Sequence, residues 1–371
     1  MMKILADKYL YKIKELIPAN ADLELYDPDD GFPKNVRLYD ALLIRTVTKI
    51  TPKTLSSPGK LSFIGSATAG FDHVDLDYLN DTGITFARSE GCNANAVAEY
   101  VITALYKWAD ERSVDLPSIK VGIVGCGNTG SRVDGYLKKL GVQTVLYDPP
   151  KAKIDDDFES SSEKELLECD ILTFHVPLTE SGPHPTAHIC SEAWLKHKFS
   201  LIMNTSRGGV VDEEALLKSH QQGTTKDYIL DVWENEPLFD DEVAQHAFLT
   251  TPHIAGYSKE AKWKASEMVV HKMCEHFGLK KPGIAFHLKP EVEIQPEAPS
   301  SFSEFLWEHS NLKEYNRTFK TLKGLPDDEK SRRFAKLRSE TDTRFEFAGI
   351  IESQKEKSEL PDKLTIFNKE N

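Results

Sequence analysis

The chain has 371 residues and a formal net charge of −13. That length predicts two or more domains, each large enough to bury its own core, and the ordinary balance of apolar and charged residues excludes an intrinsically disordered chain. The acidic surplus argues against nucleic acid or anionic lipid as a partner, and no window of 18 or more apolar residues suits a membrane span.

Short apolar runs in the first part of the chain predict a small sheet. They fall at residues 3–6, 23–26, 41–44, 63–65 and 84–86. Helical patterns follow over about 94–112 and, much later, over about 259–277. The chain is therefore predicted to leave an outer domain near residue 100, to build a second domain, and to return near residue 260, with a ligand cleft between the two domains.

The central section carries six further apolar runs, spaced as successive βαβ units require. These runs are residues 121–124, 145–147, 171–174, 201–203, 228–230 and 248–249. Continuous apolar runs, rather than alternating ones, are typical of parallel strands that are covered on both faces. We therefore expect a six-stranded, doubly wound parallel sheet in this section.

A glycine motif joins the first of these runs to a helical pattern. Gly125, Gly127 and Gly130 have the spacing of a dinucleotide-binding loop, in which glycines permit a tight turn and a close approach of the backbone to a pyrophosphate. The N-terminus of the following helix would present free N–H groups and a partial positive charge to that pyrophosphate. Asp148, at the end of the next run, could accept hydrogen bonds from both ribose hydroxyls, which favours NAD over NADP; a turn aspartate is the alternative interpretation.

Polar side chains follow most of the predicted strands. They are Asp148, His175, residues 204–207, Asp231 and residues 251–253. Because the carboxyl ends of parallel strands meet at one edge of a sheet, we expect these side chains to converge on one cleft. The arginine at 207, the histidine at 253 and the carboxylates within 231–237 suit hydride transfer at an alcohol carbon, which needs an anion-binding group, an acid–base group and a partner that tunes it.

Three motifs give this set a resemblance to a known family. Met-Asn-Thr-Ser-Arg-Gly-Gly-Val-Val-Asp at 203–212, Asp-Val-Trp-Glu-Asn-Glu-Pro at 231–237 and Thr-Pro-His-Ile-Ala-Gly-Tyr at 251–257 resemble, in that order, the arginine, glutamate and histidine motifs of the D-isomer-specific 2-hydroxyacid dehydrogenases. Residues 44–49, 67–75, 91–101 and 182–186 are similar to members of the family that act on a small phosphorylated 2-hydroxy acid. Together these segments cover residues 1 to about 285.

The resemblance implies roles for the site residues. Arg207 would hold the substrate carboxylate, His253 would be the general acid–base, and Glu236 would orient His253 and favour its protonated form. The implied reaction is oxidation of 4-phospho-D-erythronate by NAD to 3-hydroxy-2-oxo-4-phosphobutanoate. The expected NAD contacts are Gly125, Gly127, Asn128, Thr129, Gly130, Asp148, Val176, Thr205, Ser206, Arg207, Asp231 and Gly256. The candidate substrate contacts are Arg45, Thr46, Thr68, Ala69, Gly70 and Tyr257, of which the resemblance points to Thr46 and Thr68.

Each of these side chains also has a structural interpretation. Arg207 could bridge two loops, Glu236 could be a solvated carboxylate, and His253 could be a packing residue. His184 and His188 have the spacing of zinc ligands, but the prolines beside His184 disfavour the helix that such a pair needs, so we expect no metal. Two other functions stay open: a dehydrogenase of glycerate or phosphoglycerate, and a non-catalytic NAD-sensing scaffold.

The last part of the chain predicts a linker and a small third domain. Residues 286–300 are rich in proline and glutamate, and only residues 334–338 and 344–347 resemble the family's dimerisation domain. Basic residues crowd this region and could supply a phosphate contact from a partner subunit, or form a solvated helix face. They are Arg332, Arg333, Lys336, Arg338 and Arg344.

We therefore predict an α/β protein in three parts. A Rossmann doubly wound parallel sheet (98–257) is inserted in a flavodoxin-like substrate domain (1–97 and 258–285), and a linker with a small α+β C-terminal dimerisation domain follows (286–371). The expected assembly is a homodimer. Scattered cysteines without C-x-x-C spacing, and a start without an apolar leader, favour the cytoplasm. Glu90 and Ser258 depart from the family pattern, which has proline and threonine there.

Overall fold

Two parallel sheets organise the chain, and each lies in a different compact unit. The first unit comprises Met1–Asn93 and Ser258–Leu288, and the second comprises Ala94–Tyr257 with Lys289–Asn371. The computed structural model describes residues 1–290, 301–340, 343–354 and 361–368.

The strands are short and mostly buried. In chain order they are β1 (Met2–Asp7), β2 (Ala21–Tyr26), β3 (Ala41–Ile44), β4 (Phe63–Ser66), β5 (Thr85–Arg88), β6 (Lys120–Val124), β7 (Gln143–Tyr147), β8 (Ile171–Phe174), β9 (Phe199–Asn204), β10 (Thr225–Leu230) and β11 (Leu249–Thr250).

The helices vary from single turns to five turns. In chain order they are α1 (Ile13–Leu16), α2 (Leu76–Thr82), α3 (Ala94–Arg112), α4 (Asn128–Lys139), α5 (Pro149–Ala152), α6 (Glu163–Leu167), α7 (Glu213–Gln221), α8 (Asp241–His246), α9 (Lys259–Phe277), α10 (Phe302–Glu308), α11 (Leu312–Lys320), α12 (Asp327–Glu340) and α13 (Phe347–Gln354). Short 3₁₀ turns lie at Pro28–Asp30, Val36–Leu38, Leu116–Ser118, Trp194–Lys196 and Asp362–Phe367. Within the described ranges, no helix combines the length and apolar character needed to cross a membrane.

The first unit is built on a five-stranded parallel sheet in the order β2-β1-β3-β4-β5. This is the order of flavodoxin-like sheets. Helix α9 packs closely on it because Gly65 has no side chain: a Cβ there would lie 2.2 Å from Val269 Cγ2. Ser258 caps α9 by accepting a 2.9 Å hydrogen bond from Ala261 N, so serine at this position serves as well as threonine.

The second unit is built on a six-stranded parallel sheet in the order β11-β10-β9-β8-β6-β7. The chain therefore runs from β6 outward in one direction to β7 and then returns to continue from β8 in the other. Apolar residues on both faces of the strands belong to two separate buried clusters, as expected for a sheet that helices cover on both sides. The two parallel sheets confirm the predicted α/β class and the doubly wound arrangement.

The C-terminal segment differs from the sequence-based expectation. Its described elements are all helical, and from Lys289 onward they are grouped with the second unit. The physical reason lies in the spacing of its apolar residues: Phe302, Phe305 and Leu306 repeat at helical intervals and are buried in the same cluster as helix α3. Strand-like alternation is missing from the described part of this segment, so an α+β composition is not formed there.

Candidate active site

The glycine loop after β6 has the shape that a dinucleotide pyrophosphate requires. Gly125 adopts a φ of +89°, which other residues rarely tolerate, and a Cβ on Gly130 would lie 1.9 Å from Gly125 O. A Cβ on Gly127 would have no described atom within 4 Å, so the space beside this residue is open. Helix α4 begins at Asn128 without a side-chain cap, so the backbone N–H groups of its first turn, Asn128 to Gly130, remain available to an anion.

Asp148 lies beside this loop, at the end of β7. Its Oδ2 accepts a 2.8 Å hydrogen bond from Cys126 N, and its Oδ1 accepts a 3.0 Å bond from Lys151 N at the start of α5. Lys151 Nζ in turn donates to Cys126 O at 3.0 Å. The carboxylate therefore acts as a turn and cap residue, and it also keeps lone pairs next to the loop where an adenosine ribose would lie.

The segments after β8 and β9 complete this edge of the sheet. A Cβ on Gly125 would lie 2.6 Å from Val176 Cγ1, which shows how closely residue 176 approaches the glycine loop. His175 is half-buried, and burial lowers its pKa to about 3, so its imidazole stays neutral. Its Nε2 lies 3.1 Å from Thr173 Oγ1 and its Nδ1 lies 3.4 Å from Thr205 Oγ1. These two contacts hold the imidazole between the end of β8 and the loop after β9.

Asn204 shapes the loop that carries Arg207. Its Oδ1 accepts hydrogen bonds from Ser206 N at 3.1 Å and Ser206 Oγ at 2.8 Å, while its Nδ2 donates to Arg207 O at 2.9 Å. Arg207 Nη1 donates to Ser206 O at 2.8 Å. Sequence reasoning gave Asn204 no role, although an asparagine at the last position of a buried strand is a signal for such a loop.

The loop after β9 rests directly on the turn after β10. A Cβ on Gly208 would lie only 1.8 Å from Trp233 O, so glycine is required for these two backbones to approach. This contact brings Arg207 next to the turn that holds Glu236. Strands β9, β10 and β11 are neighbours in the sheet, and Arg207, Glu236 and His253 follow them in that order.

His253 and Glu236 form a direct pair. His253 Nδ1 lies 2.8 Å from Glu236 Oε2 and 3.1 Å from Oε1, and Trp233 N donates to Oε1 at 3.1 Å. Burial raises the pKa of Glu236, but the hydrogen bond and charge of His253, with smaller contributions from Arg338 and Trp233 N, outweigh it and lower the pKa. Glu236 is therefore a carboxylate at neutral pH, and Nδ1–H of His253 donates to it. This leaves Nε2 as the imidazole nitrogen that can take or give a proton.

Asp231 holds the backbone of the histidine loop. Its Oδ1 accepts from Thr251 Oγ1 at 2.6 Å and Ile254 N at 2.8 Å, and its Oδ2 accepts from Ala255 N at 2.9 Å. His253 N donates to Asp231 O at 2.6 Å, and His253 adopts a left-handed φ of +57°. The sequence predicts Asp231 as a cofactor contact; in the structure its buried carboxylate supports the unusual backbone conformation of His253.

The loop continues from this support to Gly256 and Tyr257. Tyr257 N donates to Ile254 O at 2.8 Å, which closes a turn directly after the Asp231 bonds. A buried Tyr100 hydroxyl lies 2.7 Å from Thr251 Oγ1 and extends the network behind the loop. Sequence reasoning missed Tyr100, because nothing in the local pattern of helix α3 distinguishes it from a packing residue.

The candidate substrate residues of the first unit also lie after strand ends. Arg45 follows β3; its Nε donates to the buried Asp7 at 2.8 Å, and its guanidinium carbon lies 5.1 Å from the Tyr9 ring centroid. Thr46 follows it in an exposed turn. Thr68 Oγ1 donates to Gly70 O at 2.9 Å and so shapes the turn through Ala69 and Gly70.

Arg88 is a neighbour that sequence reasoning missed. Its Nη1 donates to Ala69 O at 3.2 Å, and its Nη2 forms a 2.9 Å ion pair with Glu90. The guanidinium carbon lies 4.6 Å from the Phe71 ring centroid. Glu90, which replaces the family's proline, is therefore part of the support of the Ala69–Gly70 turn.

Among the residues that the structure describes, one group of side chains has the composition of a metal site. His188, Asp212 and Glu234 offer atoms within 4.8 Å of one another. His188 Nε2 lies 2.9 Å from Glu234 Oε1, and the same oxygen accepts from Glu213 N at 3.1 Å. These contacts account for the cluster as a set of hydrogen bonds that supports the turn before Glu236, and we assign it no metal.

Comparisons with known proteins agree with this geometry. The NAD binding domain of the D-isomer specific 2-hydroxyacid dehydrogenases matches residues 95–255. An erythronate-4-phosphate dehydrogenase of Bacteroides fragilis is 37% identical over 321 residues, which cover 85% of this chain and 89% of that protein. One of Bacteroides thetaiotaomicron is 37% identical over 304 residues, covering 81% and 84%. A D-lactate dehydrogenase of Aquifex aeolicus, solved in complex with NAD and lactic acid, gives a TM-score of 0.57 at 25% identity and covers 74% of this chain and 96% of that chain.

Proposed function

The chain belongs to the D-isomer-specific 2-hydroxyacid dehydrogenase family, and we propose that it oxidises 4-phospho-D-erythronate to 3-hydroxy-2-oxo-4-phosphobutanoate with NAD, a step of pyridoxal phosphate (vitamin B6) biosynthesis. The observation that carries the chemistry is the His253–Glu236 pair, joined at 2.8 Å. What supports the choice of substrate is the name shared by the relatives from the two Bacteroides species.

In this proposal His253 is the general acid–base. Because Nδ1–H donates to Glu236, the neutral imidazole has its lone pair on Nε2, where it can take the proton of the substrate C2 hydroxyl. Glu236 holds that tautomer and stabilises the imidazolium that forms. In the reverse direction the imidazolium returns the proton to the carbonyl oxygen.

Arg207 is proposed to bind the substrate carboxylate. Its planar guanidinium can make two parallel hydrogen bonds to a carboxylate, which would fix the orientation of the neighbouring C2. Asn204 and Gly208 on either side of Arg207 set the loop that carries it. Tyr257, which follows the histidine loop, would reach a substrate oxygen, and Arg45, Thr46, Thr68 and the Ala69–Gly70 peptide are proposed as further substrate contacts.

The residues of the second unit fit NAD. The tight Gly125–Gly130 packing and the uncapped start of α4 form a cradle that a single Cβ would fill. The proposed contacts are the glycine loop with Asn128 and Thr129 for the pyrophosphate, Asp148 for the ribose, and Val176, residues 205–207, Asp231 and Gly256 around the nicotinamide end. When bound, NAD supplies the acceptor for the hydride that leaves C2.

The test is turnover on a matched set of substrates. NADH formation should appear with 4-phospho-D-erythronate and be far slower with D-glycerate and 3-phosphoglycerate. A reversed preference would replace the proposed substrate but leave the family chemistry in place. His253→Gln should keep NAD affinity and lose turnover by about 10²–10⁴-fold, the usual share of general acid–base catalysis. Near-normal turnover in that variant would contradict the role of His253, and a wild-type protein that binds NAD without turnover on any 2-hydroxy acid would be a scaffold.

A homodimer and a cytoplasmic location complete the proposal. What supports the dimer is the resemblance of residues 334–338 and 344–347 to the family's dimerisation domain. The same stretches also contact their own chain, since Phe334 is buried and Arg344 bonds Glu99. Light scattering of the purified full chain tests the dimer directly, with a monomer mass as the contradicting result.

A further inference from the structure

Arg338 reaches the histidine loop from the C-terminal segment of the same chain. Its Nη2 donates a 3.2 Å hydrogen bond to Tyr257 Oη, and its guanidinium carbon lies 5.9 Å from the Tyr257 ring centroid. Arg338 is also among the charges that act on Glu236, where it adds to the stronger effect of His253 in lowering the pKa of that buried carboxyl. A second guanidinium therefore lies close to both the acid–base pair and the tyrosine that follows it.

Helix α12 holds Arg338 in this position through a row of residues four apart. Lys330, Phe334 and Arg338 share one face of the helix. Lys330 Nζ forms a 2.7 Å ion pair with Asp241, and the Phe334 ring lies 5.9 Å from the Phe319 ring in a buried cluster. The face that carries Arg338 is thus anchored to the second unit by contacts within the same chain.

The guanidinium of Arg338 has donor capacity that its contacts within the chain do not satisfy. Its Nε is buried and has no hydrogen-bond acceptor among the described residues. Across the described part of the chain, no carboxylate forms an ion pair with it either, whereas Arg333 on the outer face of α12 pairs with Glu329 at 2.6 Å. A buried N–H group without an acceptor is unfavourable, and an anionic oxygen from a ligand would satisfy both the donor and the charge.

We propose that Arg338 recognises the phosphate of the substrate in cis, together with the Tyr257 hydroxyl, so that the C-terminal segment selects phosphorylated over unphosphorylated 2-hydroxy acids. This inference rests on the proposed function, which assigns Arg207 to the substrate carboxylate and leaves the phosphate as the second anionic group to be bound. A guanidinium suits that group, since its fork of N–H donors matches two phosphate oxygens.

The test compares Arg338→Met with Arg333→Met, a matched removal of one guanidinium from the exposed face of the same helix. With 4-phospho-D-erythronate, Arg338→Met should lower kcat/KM by roughly 30- to 300-fold, mainly through KM, as expected for loss of a charge-assisted bidentate contact. With unphosphorylated D-erythronate the same variant should change kcat/KM by less than about threefold. Arg338→Lys should recover part of the loss because it restores the charge, and Arg333→Met should behave as wild type with both substrates.

Two results would overturn the inference. Equal losses on both substrates would make Arg338 a positioning residue that acts through Tyr257 or Glu236, and no loss on either would make it structural. Calorimetric titration with inorganic phosphate tests phosphate binding by Arg338 independently of turnover. The wild type should bind phosphate at least tenfold more tightly than Arg338→Met. Equal binding by the two proteins, or no binding by the wild type, would contradict the inference. If the wild type fails to oxidise 4-phospho-D-erythronate, the proposed function fails, while this titration still decides the role of Arg338.

Discussion

Replacing Glu236 by glutamine gives the sharpest test of the acid–base role proposed for the His253–Glu236 pair. In the wild type, Glu236 Oε1 accepts from Trp233 N at 3.1 Å, and His253 Nδ1 lies 2.8 Å from Oε2. Glutamine has only one acceptor oxygen. If that oxygen faces Trp233, the amide N–H₂ faces Nδ1 and favours the tautomer protonated on Nε2, which cannot accept the substrate proton. If it faces His253, the buried Trp233 N–H meets another N–H group, at a cost of about 1–3 kcal/mol.

The negative charge is lost in both orientations. A charge-assisted hydrogen bond is about twice as strong as a neutral one, so the imidazolium that forms during oxidation is stabilised less in the variant. With tenfold in rate for each 1.4 kcal/mol, these effects together predict that kcat for oxidation falls by about 10²-fold or more. NAD affinity should stay near the wild-type value, because no contact of the glycine loop changes.

The assay is NADH formation at saturating NAD, with NAD binding followed separately by fluorescence. Glu234→Gln is the matched control: it neutralises a carboxylate two residues away whose contacts are His188 and Glu213 N. The control should retain most of its turnover. A Glu236→Gln protein within about threefold of wild type, or a Glu234→Gln protein that loses as much, would refute the assignment of Glu236 as the partner of His253.

Three further predictions follow from single contacts. Gly208→Ala should abolish most turnover and lower Tm, because its Cβ would lie 1.8 Å from Trp233 O. The control is Gly135→Ala, whose Cβ meets no described atom within 4 Å and which should raise the free energy of unfolding by about 0.5–1 kcal/mol. Equal behaviour of the two variants would contradict the contact between the loops. Asp148→Ala should narrow the preference for NAD over NADP by about tenfold, measured as the ratio of kcat/KM values, and an unchanged ratio would leave Asp148 as a turn residue only. Burial raises the pKa of Glu213 from an ordinary 4.5 to about 8, so the folded state holds this proton more tightly than the unfolded state and stability falls as pH rises between those values. In Glu213→Gln the free energy of unfolding, measured by denaturant titration, should decline less steeply over that window, by up to about 1.4 kcal/mol per pH unit. A slope identical to wild type would show that Glu213 does not titrate there.

Much of the fold could be predicted because its signals are local. Helices α3 and α9 were expected over about 94–112 and 259–277 and occur at Ala94–Arg112 and Lys259–Phe277. An apolar run marked each strand in the described part of the chain, and the central strands carry continuous apolar sequence because they are buried on both faces. The polar residues after those strands predicted the candidate site, because the carboxyl ends of parallel strands lie at one edge of the sheet.

The rest depended on contacts between distant parts of the chain. Arg338 and Tyr257 are 81 residues apart, and no sequence pattern links them. Arg344 was visible only as one of several clustered cations, yet in the structure its Nη1 forms an ion pair with the buried Glu99. A run of charged residues has the same composition whether its side chains are solvated or form ion pairs. Burial distinguishes the two cases, and burial is known only from the tertiary structure.

Asp231 and Glu236, two carboxylates on which His253 acts, have separate tasks because their environments differ. Asp231 is fully buried, and burial raises its pKa even though His253, Thr251 and two backbone N–H groups oppose that shift. Glu236 lies at the ring itself, where the bond and charge of His253 overcome burial and lower its pKa. A pair of carboxyls driven in opposite directions around one imidazole is typical of a site with assigned acid–base roles. It follows that Asp231→Asn should change the backbone position of His253, because Ala255 N would face an amide N–H₂ instead of an acceptor. Glu236→Gln should instead change which imidazole nitrogen of His253 carries the proton.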